Sequence, residues 1–234
     1  HELGEARGPC GPDESPAGMS RTPVQVRGER LQLLPAKALY WPAQRMLVIA
    51  DLHLGKAMHF RKAGIAAPAA VERLDLERLE ALMDAIRPRK LLLLGDLFHS
   101  THNSAWKGFL DLRRHHARVE FVLITGNHDI LDRRAYAEAD MEEVPALEIG
   151  PFRFSHHPED AADHYGLAGH VHPAVRLTGK GRQYLTLPCF HFGPCNGLLP
   201  SFGSFTGSHR IIPTKGDRLF AISGEHVIRC GSGK

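Results

Sequence analysis

Four short segments carry the residues best equipped for chemistry: Asp51-Leu52-His53, Gly95-Asp96, Gly126-Asn127-His128-Asp129 and Gly169-His170-Val171-His172. Imidazole nitrogens, carboxylates and a carboxamide oxygen together make a mixed N/O donor set suited to Mn, Fe, Zn or Ni rather than to a thiolate-selected metal. Sixteen histidines among 234 residues, several beside Asp, Asn or Gly, point the same way. In extended backbone, residues i and i+2 project to one side. Asp51 and His53 can then face one ion while Leu52 turns to the core, and His170 and His172 can do the same around Val171. Each segment alone has a plainer reading. Asp-x-His also ends ordinary surface strands, Gly-Asp and Gly-Asn-His-Asp suit turns, and Gly-His-x-His occurs in loops. In this order, each of the first three at the end of a buried strand, the four together read as a metal site.

The positioning elements are legible as apolar runs. Met46–Ala50 is a continuous apolar run, the pattern of a strand buried on both faces, and Leu91–Leu94 and Val119–Ile124 read as two further buried strands. Between them, Val71–Ile86 has apolar residues at Val71, Leu74, Leu79, Leu82, Met83 and Ile86, and Ser104–His116 follows as a second helix. This is a βαβ arrangement, and open α/β sheets place their sites at the carboxyl ends of the strands. Upstream, Arg30–Leu34 and Ala38–Trp41 read as short strands around a Pro35 turn. Downstream, Val144–Ser155, Val175–Leu177, Tyr184–Leu187 and Leu219–Arg229 read as strands of a second, more antiparallel sheet. The expected fold class is α/β (α+β), with two mixed sheets packed face to face. Residues 1–22, rich in Gly, Pro, Ser and Glu without periodicity, read as a disordered leader, and residues 23–234 as a single domain.

Bulk properties exclude little. A hydrophobic share of 43% and a charged share of 24% are those of a soluble globular protein. No apolar run reaches membrane-spanning length, and the first residues have no apolar signal core. A net charge of +3 neither announces nucleic-acid binding nor excludes a local basic groove. Cys10, Cys189, Cys195 and Cys230 include no Cys-x-x-Cys pair, so a structural zinc knot is not expected. Free thiols are expected, with a Cys189–Cys195 pair left open.

The ordered motifs resemble the calcineurin-like metallophosphoesterase superfamily over about residues 45–175. The resemblance implies a sandwich of two mixed sheets flanked by helices, and two metal ions. Asp51, His53 and His172 would hold one ion, and Asn127, His170 and a histidine of the His156–His157 pair the other, with Asp96 bridging. Phe152 and Phe154 alternate along an expected strand and His156 follows in phase, so His156 is preferred and His157 is the fallback. The expected nucleophile is a hydroxide bridging the two ions. The resemblance gives His128 the catalytic role of contacting phosphate and protonating the leaving oxygen. It also favours Mn2+ over Fe, Zn or Ni. His99 stands where protein serine/threonine phosphatases carry an acid, which disfavours that substrate class. His99, His102 and Asn103 either line the substrate side or form a polar loop leading into a helix. His59, His115, His116, His164, His209 and His226 read as surface or packing residues.

A closer resemblance lies in the flanks. Residues 33–65, the segment Gly95-Asp96-Leu97-Phe98-His99-Ser100, and the tail with Leu187-Pro188-Cys189-Phe190 and Leu199–Gly207 are similar to the ligase-associated DNA damage response endonucleases of the PdeM type. That implies a bacterial cytoplasmic enzyme associated with a DNA ligase and a helicase, cleaving phosphodiester bonds of single-stranded DNA. Lys56, Arg61 and Lys62 either form a basic rim for the substrate backbone or belong to a solvated loop. With aromatics at 7%, extensive base stacking is not indicated. A small-molecule phosphatase or a nucleotide or lipid pyrophosphatase on the same fold, and a non-catalytic metal-binding subunit of a repair complex, are the competing expectations.

Overall fold

The computed structural model describes residues 19–56, 70–98, 104–129, 133–159, 163–179, 181 and 183–230. Residues 1–18, Arg61, Lys62, His99, His102 and Asn103 lie outside the described residues.

The first sheet runs in chain order: β1 (Thr22–Val26), β2 (Glu29–Leu34), β3 (Ala38–Trp41), β4 (Met46–Ala50), β5 (Lys90–Leu94), β6 (Glu120–Ile124) and β7 (Met141–Val144). Strands β1 to β4 pair antiparallel and β4 to β7 parallel. Parallel neighbours need a crossover, and the three crossovers contain α1 (Ala70–Ile86), α2 (Ser104–His115) and α3 (Arg133–Glu138). The second sheet holds β8 (Ala146–Ile149), β9 (Phe152–Ser155), β10 (Tyr165–Ala168), β11 (Pro173–Thr178), β12 (Tyr184–Phe192), β13 (Asn196–Leu198), β14 (His209–Arg210), β15 (Arg218–Ser223) and β16 (His226–Cys230). It is mixed: β9 with β10, β10 with β13 and β11 with β14 pair parallel, the rest antiparallel.

Two cores explain the continuous apolar runs. Leu47, Ile49, Leu91, Leu93, Phe121 and Leu123 point to the helix layer. Their alternating neighbours Val48, Ala50, Leu92, Leu94, Val122 and Ile124 point to Phe152, Phe154, Phe190 and Phe192 of the second sheet. A period-2 strand covered on both faces has no position for a polar residue until it ends. The first polar side chain therefore falls at the sheet edge, at Asp51 and Asp96. α1, α2 and α3 pack in the layer on the outer face of the first sheet.

Several expectations need correction. β1 begins at Thr22, inside the span read as leader. Val24 and Val26 are buried while Pro23 and Gln25 alternate with them, and an edge strand tolerates the proline. On α1 it is Leu76, not Leu74, that joins the core, and Leu74 is 53% exposed. Val144–Ser155 is not one strand: Pro145 separates β7 from β8, and Gly150, at φ 54°, turns β8 into β9. Leu219–Arg229 is likewise a hairpin, β15 and β16, turning at Gly224. The strands β10 and β13 and the helix α3 were not anticipated, being too short to show a period. Cys189, Cys195 and Cys230 are free thiols. Among the described residues no helix is long and apolar enough to cross a membrane.

Candidate metal centre

The carboxyl ends of β4, β5 and β6 from the first sheet meet those of β9 and β10 from the second. Residues 199–203 bind the two ends together: the Leu199 amide donates to the Ala168 carbonyl at 2.8 Å, the Phe202 amide to Ala50 at 2.7 Å, and the Ser201 hydroxyl to Asp51 at 2.9 Å.

The side chains gathered there form a buried floor with an open rim. Asp51, His53, Asp96 and His156 are buried, whereas His128 and His172 are half-buried and Asn127 and His170 exposed. Ligand atoms of Asp51, His53 and His172 lie within 4.8 Å of one another, and so do those of Asp51, Asp96 and His156 and of His156, His157 and His170. His170 and His172 thus go to different groups. The expectation that both grip one ion from extended backbone is corrected by the dihedrals. His170 and His172 have φ 61° and 51°, Asp51 and His53 have 53° and 52°, and Asp96 has 49°. Left-handed backbone at non-glycine residues costs of order 1–3 kcal/mol each and persists only where the surroundings hold it. Here cross-loop hydrogen bonds hold it. The His53 amide donates to the Asp96 carbonyl at 2.9 Å, and the His170 amide to Asp51 Oδ2 at 2.9 Å. Leu52 does turn into the core, 3% exposed.

Asp96 stands between the groups. Its Oδ2 is 3.8 Å from His53 Nε2 and its Oδ1 is 3.4 Å from His156 Nε2. His156 is oriented by a 3.0 Å hydrogen bond from Nδ1 to the Leu94 carbonyl. A carbonyl only accepts, so Nδ1 is the nitrogen that donates, and Nε2 is the one turned to the other ligands. Nε2 faces Asn127 Oδ1 at 3.0 Å and His170 Nδ1 at 3.2 Å. In the other group His53 Nε2 and His172 Nε2 are 3.4 Å apart, and the buried Asp51 Oδ1 has no hydrogen-bond partner. Lone pairs converging without donors between them are what a divalent cation satisfies, and these residues fit that role. His157 is exposed, with its ring 4.1 Å from that of His170. Burial, then the neighbouring His157 and His156, holds His170 below the usual histidine range.

His128 takes part in none of the close ligand groups formed by the described residues. Its amide donates to Asp96 Oδ1 at 3.0 Å and its ring centroid lies 6.0 Å from that of His53. Lys56 is brought to the edge of the centre. Burial pushes its pKa down, while the nearby Asp96 and Asp51 carboxylates push it up.

Glycines make room for this packing. At Gly95, φ 75°, an added Cβ would overlap the His156 ring, and at Gly169 it would lie 2.6 Å from Asp51 Oδ2. The sequence reading gave Asp129 no task of its own. The structure shows that it ties two loops: its Oδ1 accepts from the Leu97 and Phe98 amides at 2.7 and 3.2 Å, and its Oδ2 from the Gly126 amide at 2.7 Å. Burial raises its pKa against these three hydrogen bonds. The only signal was an acid directly following His128. Asp129→Ala leaves three amides without an acceptor and is expected to cost about 3 kcal/mol, read as a fall in Tm with weaker metal binding. Asp129→Asn keeps one acceptor oxygen and should lose less. Melting unchanged in both variants would remove this role.

Comparison with known proteins follows the same lines. The family model for calcineurin-like phosphoesterases matches residues 44–218. Among solved structures, the Pseudomonas putida nuclease MPE is 35% identical, with 90% of this chain and 100% of that one covered, at a TM-score of 0.77. A protein of unknown function from Aquifex aeolicus is 19% identical, covering 58% of this chain and 82% of that one, at a TM-score of 0.40. The phosphoesterase Yfce from E. coli is 14% identical, covering 78% of this chain and 96% of that one, at a TM-score of 0.43. No curated protein matches. The family match begins just before β4 and ends on the first residue of β15, so it takes in every strand end that builds the centre. The chain therefore belongs to the calcineurin-like phosphoesterases and is a metal-dependent phosphoesterase.

Proposed function

We propose that this phosphoesterase is a nuclease that hydrolyses phosphodiester bonds of single-stranded DNA, using two Mn2+ ions, in DNA repair. The observation that carries the reading is the 35% identity extending over the whole of the Pseudomonas putida nuclease. Partnership with a DNA ligase and a helicase, in a bacterial cytoplasm, belongs to the same reading and rests on the resemblance in the flanks.

In this reading Asp51, His53 and His172 hold one ion and Asn127, His156 and His170 the other, with Asp96 shared. Bound there, two such ions would supply positive charge against the phosphoryl oxygens and make a water more acidic. His128 gives a proton to the leaving oxygen. The open rim of Asn127, His170 and His172 leaves the centre accessible to a polymer. Beside His172 lies a cavity of about 200 Å3 whose lining includes Lys37, Ser201, Ser204, Thr206 and Gly207. An adjoining one of about 300 Å3 is lined by Lys56, Phe205 and the same Ser204, Thr206 and Gly207. The two cavities share Ser204, Thr206 and Gly207, and each has a lysine in its lining, Lys37 in one and Lys56 in the other, cations of the kind that neutralise phosphates.

The test compares Mn-loaded protein on single-stranded DNA, bis-p-nitrophenyl phosphate and p-nitrophenyl phosphate. Cleavage of DNA and of the diester is expected. Activity on the monoester alone would overturn the nuclease reading in favour of a small-molecule phosphatase. Metal-replete protein inert on all three would leave a binding subunit.

A further inference from the structure

A second cluster of donors lies on the helix layer, away from the phosphoester centre. Glu80 and Asp84 sit one turn apart on α1, and His115 and His116 end α2. Ligand atoms of Glu80, His115 and His116 lie within 4.8 Å of one another. Asp84 Oδ1 is 3.8 Å from His115 Nε2 and 3.9 Å from His116 Nε2. The His116 side chain is 10% exposed, and its Nε2 is buried with no hydrogen-bond partner. An imidazole nitrogen held in that condition lacks a donor or a cation. Its position is set by the backbone: the His116 amide donates to the Leu112 carbonyl at 3.0 Å, and the His116 carbonyl accepts from the Val119 amide at 2.9 Å and from Arg113 Nη1 at 3.2 Å.

We propose that Glu80, His115 and His116, with the Asp84 carboxylate beside the two rings, form a third metal site, one that takes Zn2+ and clips α1 to α2. Two imidazoles and the Glu80 carboxylate make a three-ligand N/O set, and Asp84 adds a second negative charge next to it. Bonds of about 2.0–2.1 Å bring tetrahedral ligand atoms to roughly 3.4 Å from one another. The three ligand atoms lie within 4.8 Å of one another and draw together on binding, a movement that the exposed His115 side chain is free to make. The site lies near the carboxyl ends of α1 and α2, which lead back to the amino ends of β5 and β6. It is therefore at the opposite sheet edge from the phosphoester centre, about 16 Å of strand away.

Equilibrium dialysis of the full chain against Zn2+, followed by elemental analysis, tests the site. The wild-type protein is expected to hold one Zn2+ equivalent more than Glu80→Gln/Asp84→Asn and than His115→Ala/His116→Ala. Asp96→Asn is expected to keep that equivalent. Activity of Glu80→Gln/Asp84→Asn on bis-p-nitrophenyl phosphate should equal that of the wild type, since none of these residues belongs to the strand-end centre. The carboxamide variant alters side chains at the surface and guards against a folding failure of the histidine variant. Equal Zn2+ content in the wild type and Glu80→Gln/Asp84→Asn overturns the proposal, whatever the substrate tests return.

Discussion

Asp96→Asn is expected to lower bound divalent metal by at least one equivalent and to reduce turnover on bis-p-nitrophenyl phosphate by about a thousandfold, roughly 4 kcal/mol of barrier. Each Asp96 oxygen faces a different ligand group, Oδ2 towards His53 and Oδ1 towards His156. A carboxamide keeps one acceptor and turns an NH2 towards the other group, where it opposes a cation. The sign of the stability change separates this role from a packing role. Carboxylate oxygens of Asp51 and Asp96 lie within 4.8 Å of each other, both nearly excluded from water. At an effective dielectric near 20 their repulsion is about 3 kcal/mol when no cation intervenes. Metal-free Asp96→Asn should therefore melt no lower than metal-free wild type, while the Tm gain on adding Mn2+ should shrink sharply. Metal content and calorimetry on the same samples check this. Two ions bound with full activity would refute the bridging assignment.

Much of what positions Asp96 was legible because it is local. A run such as Leu91–Leu94, covered on both faces, must stay apolar until the sheet edge, and the first polar residue marks that edge. The helix α1 was readable from its period, although the exposed Leu74 shows that period alone leaves the phase open by a residue or two. The turn into the site was not legible. Extended backbone predicts that Asp51 and His53 share a side, and their ligand atoms do converge, but through left-handed residues. Those dihedrals are held by hydrogen bonds between loops far apart in sequence, His53 to Asp96 and His170 to Asp51, which no local pattern encodes. The second sheet suffered for the same reason. The Tyr165–Ala168 strand is short and buried throughout, and it is defined by its neighbours β9 and β13 rather than by its own alternation. The preference for His156 over His157 came from a strand phase. In the structure His156 points at Asn127 and Asp96 from a buried position, and His157 is exposed.

His128→Asn is expected to leave both ions bound and to reduce kcat on DNA by about 100- to 10,000-fold, the usual contribution of a positioned acid. One contact that fixes His128 is its amide to Asp96 Oδ1, and this survives any side-chain change. The ring sits beside the metal groups without joining them, and it is half-buried. If its task is to protonate that oxygen, the loss must depend on how much the leaving group needs a proton. A sugar alkoxide is strongly basic and needs one, whereas p-nitrophenolate leaves readily without one. The variant should therefore lose far more on DNA than on bis-p-nitrophenyl phosphate. Equal losses on both substrates would instead make His128 a phosphate-binding residue. Loss of metal together with turnover would make it a ligand, and the division of the centre into two groups around Asp96 would then have to be redrawn.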